Sequence, residues 1–196
     1  MTAENRALIR NCEETLGNRF VDTGINEQTL VGMAAGLALD SRIPIVHALA
    51  PFLTMRAFEF VRSDVGYTNL PVKLMGFIPG LLSDGNGPTH QAIEDIGLIS
   101  LIPNFEIVAP ASEEDLSACL EYILYNDRPT YVRLNHLPGL TQHSNLSSNS
   151  KIEQLMDGQT VAVISYGLVL QQSYSAVEYL KTAHDLACSL YNFRNC

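Results

Sequence analysis

The segment RFVDTGINEQTLVGMAAGLAL, residues 19–39, carries the first structural signal in the chain. RFVDTG (19–24) has the composition of a short strand, and GIN (24–26) is a turn whose Asn26 is able to cap a helix. The helix predicted over 26–39 has an acid, Glu27, at its mouth. Very small residues stand behind it: Gly32, Ala34, Ala35, Gly36 and Ala38. A carboxylate at this position serves at the least as a partner for the positive end of the helix dipole. Small residues let such a helix lie close to the surface it covers.

Outward from this segment, short β-rich runs alternate with helical patterns. IPIVHAL (43–49), PVKLMGFI (71–78), FEIVAP (105–110) and TYVRLN (130–135) read as strands, with helices over 53–66, 90–102 and 113–126. Strands that are apolar on both faces and alternate with helices imply an α/β fold, a parallel sheet with helices on both faces. The helix in PASEEDLSACLEYIL is well marked, with Ser112 as cap and Glu113, Glu114 and Asp115 in its first turn. TQHSNLSSNSKIEQLM (141–156) breaks the pattern, and its Ser- and Asn-rich start reads as a surface linker. A strand (160–166), a turn at Gly167, a helix and a strand over LACSLYNF (186–193) follow. The expected organisation is a first domain over 1–137, a linker over 138–156 and the incomplete beginning of a second α/β domain over 157–196. One helix and two strands bury too little surface to close a domain, so a fragment or a truncated chain is expected.

Composition narrows the function classes. Apolar residues make up 46% of the chain, yet no apolar run has the length of a membrane span. A net charge of −9 repels phosphate backbones and argues against a nucleic-acid partner. MTAENRALIRNC at the N-terminus lacks the apolar core of a secretory signal. Cys12, Cys119, Cys188 and Cys196 have no zinc-site spacing and read as reduced thiols, with Cys119 in the core, so a cytoplasmic location is expected.

Three features have chemical potential, and each also has a plain structural reading. Glu27 is the first. The second is LLSDGNGPTHQAIEDIG (81–97), a Gly-rich loop after a strand, leading into a helix whose first turn is expected to hold Thr89 and His90. It fits neither the phosphate loop nor the dinucleotide fingerprint, and a lone histidine there also serves as a cap or surface residue. In the third, HALAPFLTMRAFEFVRSDVGY (47–67), Phe52 begins a helix directly after a strand; Phe52 and His47 are ordinary core residues on the plain reading. All three features fall at the carboxyl edge of the strands, where open α/β sheets bind ligands.

RFVDTGINEQTLVGMAAGLAL, RAFEFVRSDVGYTNLPVKLMG and DGNGPTHQAIEDIGLISLIPNFEIVAPAS together closely resemble the pyrimidine-binding domain of transketolase-like thiamine diphosphate enzymes. The resemblance covers residues 18–136 and continues weakly over 157–193, which is similar to the opening of the transketolase C-terminal domain. It implies that Glu27, the acid of GINEQ, hydrogen-bonds N1′ of the cofactor's aminopyrimidine. The proton shared there favours the imino tautomer, whose 4′-imino group takes the proton from the thiazolium carbon. Such a carboxylate has to be buried beside the ring with a raised affinity for protons. Phe52 corresponds to the aromatic that stacks on the aminopyrimidine, and His90 to the histidine that faces substrate oxygens.

The departures from the family are equally specific. Asn86 stands where DGPTHQ usually has an aspartate that contacts a substrate hydroxyl. Ile78 and Pro79 fall where a phosphate-binding histidine is expected, and Arg133 or His136 are the candidates for the family's phosphate-binding arginine. A non-phosphorylated sugar or keto substrate is therefore compatible. The G-D-G motif that opens the family's Mg²⁺–diphosphate site does not occur, since SDGNG and MDGQT lack it. No metal ligands are thus expected on this chain; Mg²⁺ and the diphosphate belong to a partner subunit carrying the N-terminal section, in a homodimer or an α2β2 heterotetramer. The helix and strand that normally open the domain are not both present ahead of residue 19. The resemblance implies transfer of a two-carbon ketol unit between sugars, a part of carbohydrate metabolism. A deoxyxylulose-phosphate synthase-like chain, a 2-oxo-acid dehydrogenase β-type chain and an inactive interaction subunit are the alternatives.

Overall fold

The computed structural model describes residues 9–135 and 151–194. Helix α1 (Arg10–Leu16) ends at Gly17, and a single 3₁₀ turn (Gly17–Arg19) leads into the DTGIN bend. Residues 19–24 are not a strand: Asp22 makes only an isolated bridge. The Asp22 carboxylate accepts from Gly24 N–H at 2.9 Å, and Gly24 sits at φ +68°, so the chain turns where the sequence suggested extension. Helix α2 (Glu27–Leu39) follows.

Strand β1 (Ile45–Leu49) runs into a wide helical turn, Phe52–Arg56, in which Ala57 N–H reaches back five residues to Phe52 C=O. One short turn, α3 (Phe58–Phe60), separates it from a second wide turn, Val61–Gly66. Strand β2 (Lys73–Phe77), helix α4 (Asp95–Ser100), strand β3 (Glu106–Val108), helix α5 (Glu113–Tyr125) and strand β4 (Thr130–Leu134) complete the series. The sheet has the order β1-β2-β4-β3, and β2 pairs in parallel with both β1 and β4. Leu74 lies between Val46 and Tyr131 in register, and all three are fully buried. Gly76 is required by this packing, because a Cβ there would lie 2.4 Å from the Tyr131 ring.

By contacts, residues 9–107 and 126–135 form one compact unit, and residues 108–125 and 151–194 form another. In the first, α2 buries Leu30, Val31, Ala34, Ala35 and Ala38 with Val46, Leu53, Val61 and Leu74. The two helix glycines do not make this close packing. Gly36 is exposed and a Cβ on it would meet nothing within 4 Å, so the alanines alone form the tight face. The helix expected over 90–102 is also shorter, with His90 ending a 3₁₀ turn (Pro88–His90) and α4 beginning only at Asp95. A pair of hydrogen bonds between Gly80 and Ala92 ties the far end of this loop back to its start, with Gln91 extended just before Ala92.

In the second unit, the Ser112 hydroxyl accepts from Asp115 N–H at 3.2 Å and so starts α5 as expected. Cys119 is buried in α5, and burial followed by the charge of Asp115 pushes its thiol up to about 11. Strand β5 (Ile152–Met156), within the stretch read as linker, pairs antiparallel with β7 (Cys188–Phe193). Strand β6 (Val161–Ser165) pairs in parallel with β7, and helix α6 (Val169–His184) joins them. The small mixed sheet has the order β5-β7-β6. Leu170, Val177, Cys188 and Leu190 form its core with Ala111. Among the described residues no helix is long and apolar enough to cross a membrane.

The fully buried Arg194 ties this unit together by ion pairs to Asp115 and Glu153. Asp115 also accepts from Ala111 N–H at 2.9 Å and from Asn192 Nδ2 at 3.2 Å. Removing one member of a buried ion network strands the others without solvation. Arg194→Met is therefore expected to cost about 3–5 kcal/mol, measured by urea unfolding of the full chain; a loss below about 1 kcal/mol would show that the network is dispensable.

Candidate active site

The site is built at the start of α2. Asn26 Oδ1 accepts from Thr29 N–H at 3.1 Å, the side-chain cap that its residue type suggests. The capped turn directs Glu27 inward, and Glu27 is only 1% exposed. Arg56 Nη1 donates to Glu27 Oε2 at 3.1 Å. The other oxygen, Glu27 Oε1, is buried with no hydrogen-bond partner among the described residues.

Phe52 and Arg56 belong to one wide turn, four residues apart, and so project from the same side. The Arg56 guanidinium lies over the aromatic face, Cζ 3.8 Å from the ring centroid. This is the geometry of a cation–π contact. Phe52 itself is 4% exposed. The His90 ring meets Phe52 edge-on, with centroids 5.1 Å apart and planes at 68°. Glu27, Phe52 and His90, which lie 63 positions apart along the chain from first to last, thus form a connected group through Arg56.

His90 reaches Phe52 because its loop is closed. Gly80 N–H donates to Ala92 C=O at 2.8 Å and Ala92 N–H returns to Gly80 C=O at 2.9 Å. Gly80 and Gly87 both adopt positive φ, at +69° and +76°, which glycine accepts without strain. Thr89 Oγ1 lies 3.0 Å from His90 Nδ1. Asn86, on the exposed part of the same loop, donates through Nδ2 to Ser83 Oγ at 3.1 Å.

The remaining sequence candidates fall elsewhere. Arg133 Nε donates to the buried Asp95 at 2.8 Å, and the Tyr131 hydroxyl donates to the same oxygen at 2.8 Å. Burial, then the charge of Asp95, raises the Tyr131 phenol well above its usual value, so it is a fixed donor. Arg133 is therefore engaged in orienting the start of α4. His136 lies outside the described residues. His47 is buried on β1, and burial lowers its imidazole below the usual histidine range, in keeping with a neutral core residue. Sequence reasoning misses Arg56; its spacing of four from Phe52, inside FLTMR, is the available signal.

The family profile for transketolase, pyrimidine binding domain, matches residues 4–137. The chain belongs to this family. Among curated relatives, the 6-deoxy-6-sulfo-D-fructose transketolase subunit of Clostridium sp. (strain MSTE9) is 29% identical, over 88% of this chain and 54% of its own length. An apulose-4-phosphate transketolase subunit of Actinobacillus succinogenes is 35% identical over 81% of this chain and 52% of its own. The 1-deoxy-D-xylulose-5-phosphate synthase of Prochlorococcus marinus is 34% identical over 87% of this chain and 27% of its own. A solved split-gene transketolase, an inactive β4 tetramer, superposes with a TM-score of 0.83 at 26% identity, over 98% of this chain and 64% of that chain. The chain spans about half the length of the transketolase subunits it matches. Its α/β architecture is that of the transketolase pyrimidine domain followed by a small mixed sheet.

Because Asn26 fixes the first turn, Asn26→Ala is expected to cost about 1 kcal/mol in denaturant unfolding. Asn26→Asp, which keeps an acceptor, is expected to stay within about 0.5 kcal/mol of the parent.

Proposed function

We propose that this chain is the pyrimidine-binding part of a split transketolase-like enzyme that moves a two-carbon ketol unit between sugars. One observation carries the proposal: a buried carboxylate, Glu27, with one oxygen lacking a partner among the described residues, grouped with an aromatic ring and a histidine. An unsatisfied buried acceptor is costly, and a protonated ring nitrogen is the kind of donor that relieves it. The residues therefore fit the aminopyrimidine of thiamine diphosphate.

When bound, thiamine diphosphate supplies the carbon nucleophile that carries the two-carbon unit. Glu27 holds the proton shared with ring nitrogen N1′ and shields that bond from water by its own burial. Phe52 offers an aromatic surface for the pyrimidine. His90, on a closed loop beside Phe52, donates or accepts protons at substrate oxygens. Asn86 contacts a substrate hydroxyl as a neutral donor and acceptor. With Arg133 held by Asp95, His136 is, by its sequence position, the candidate for the substrate's far end.

The relatives named as subunits support a second chain in the active assembly, one that carries the Mg²⁺–diphosphate site. A homodimer of pairs, α2β2, is the natural form, because cofactor sites of this type lie between chains. A location in the cytoplasm accords with sugar chemistry. The synthase match favours one second reading, a deoxyxylulose-phosphate synthase-like activity with the same Glu27 and a different donor.

In the assembly reconstituted from full-length chains, Glu27→Gln is expected to lower kcat by about 10²–10⁴-fold in a two-carbon transfer assay. His90→Ala is expected to lower kcat/KM by about 10²-fold. Unchanged turnover in Glu27→Gln would assign the chain to a non-catalytic interaction role instead.

A further inference from the structure

We infer that Arg56 is a stand-in for the aminopyrimidine: its side chain competes with the cofactor ring and has to leave for the ring to bind. The inference rests on the proposed thiamine diphosphate site and adds a residue to it. A pyrimidine that hydrogen-bonds Glu27 and stacks on Phe52 needs a carboxylate oxygen and an aromatic face. The Arg56 guanidinium occupies the Phe52 face, 3.8 Å from the centroid, and one carboxylate oxygen, 3.1 Å from Glu27 Oε2, so it contests the face and leaves only Oε1 open to the ring nitrogen. The chemistry matches as well as the place. A guanidinium is planar, delocalised and cationic, with N–H donors at its edge, and so is an aminopyrimidine protonated on its ring. Two such planes cannot share one face of one ring.

The surroundings show which group is able to move. Phe52 is 4% exposed, so a stacking partner gains a face only by displacing a group that now covers it. The Arg56 side chain is 42% exposed, whereas Glu27 is buried. Its backbone is held, since Arg56 C=O accepts from Gln28 Nε2 at 3.2 Å and Ala57 N–H bonds back to Phe52. The side chain therefore swings about its own torsions while the turn stays in place. With Arg56 in, the buried Glu27 anion is neutralised; with the pyrimidine in, the shared ring proton does the same work. A site closed by such a competitor shows an affinity reduced by the fraction of time it is open.

The test is calorimetric titration of thiamine diphosphate, with Mg²⁺ present, into the reconstituted assembly of full-length chains. Arg56→Ala is expected to bind the cofactor about tenfold more tightly than the parent, the gain for a site otherwise open about one-tenth of the time. Arg56→Lys keeps the charge but loses the guanidinium that covers the Phe52 face, and is expected to tighten binding by a smaller factor. If Arg56→Ala does not fold, Arg56→Lys decides by the same sign. Binding by the variants that is equal to or weaker than the parent's overturns the competition while leaving the site reading standing. A parent assembly that binds no thiamine diphosphate overturns both.

Discussion

A carboxylate sealed at the mouth of a helix is the constraint on which the rest of the first unit depends. Glu27 is almost entirely removed from water, and a buried anion is tolerated only with compensating charge and donors. The N-terminus of α2 supplies part of that compensation through its dipole. Arg56 supplies a further part at Oε2, from the wide turn after β1 that also places it over Phe52. Glu27 Oε1 remains without a partner among the described residues. Buried groups in that condition cluster where a ligand completes them.

The supporting scaffold brings the site residues together from two neighbouring strands. Parallel strands β1 and β2 end side by side, and each feeds a segment that bears a site residue. On the β1 side the residue is Phe52, packed against the core. On the β2 side, the Gly80–Ala92 bridge returns the loop so that His90 meets Phe52 edge-on. Ile78 marks the same edge: it adopts φ +53°, a conformation that costs a β-branched residue about 1–2 kcal/mol. Its N–H bond to Leu134 C=O at 2.9 Å holds that backbone in place. Strain of this kind accumulates where chain direction matters more than local comfort.

Much of this is legible in the residues. Four strands of the parallel sheet stand where apolar β-rich runs lie, and Asn26 and Ser112 cap the helices they precede, because caps and periodicity are local signals. The misreadings are tertiary. RFVDTG turns because an Asp22 side chain bonds Gly24 N–H, and residues 91–94 do not start a helix because Gly80, a dozen positions away, claims Ala92. Strand β5 reads as linker, since Ser and Asn upstream mask IEQLM, which gains its strand only by pairing with β7. Glu27, Phe52 and His90 are visible through family likeness; Arg56 emerges only when the wide turn stacks it on Phe52. A helical turn with i→i+5 bonds has no reliable signature in a single sequence.

The most direct measurement is a crystal structure of the complete assembly, purified with its natural partner and soaked with thiamine diphosphate. The expected result is the pyrimidine ring against Phe52, with a ring nitrogen about 2.7–3.0 Å from a Glu27 carboxylate oxygen. A cofactor bound with its pyrimidine away from Glu27, or a purified assembly with no chain that holds the diphosphate, would contradict it.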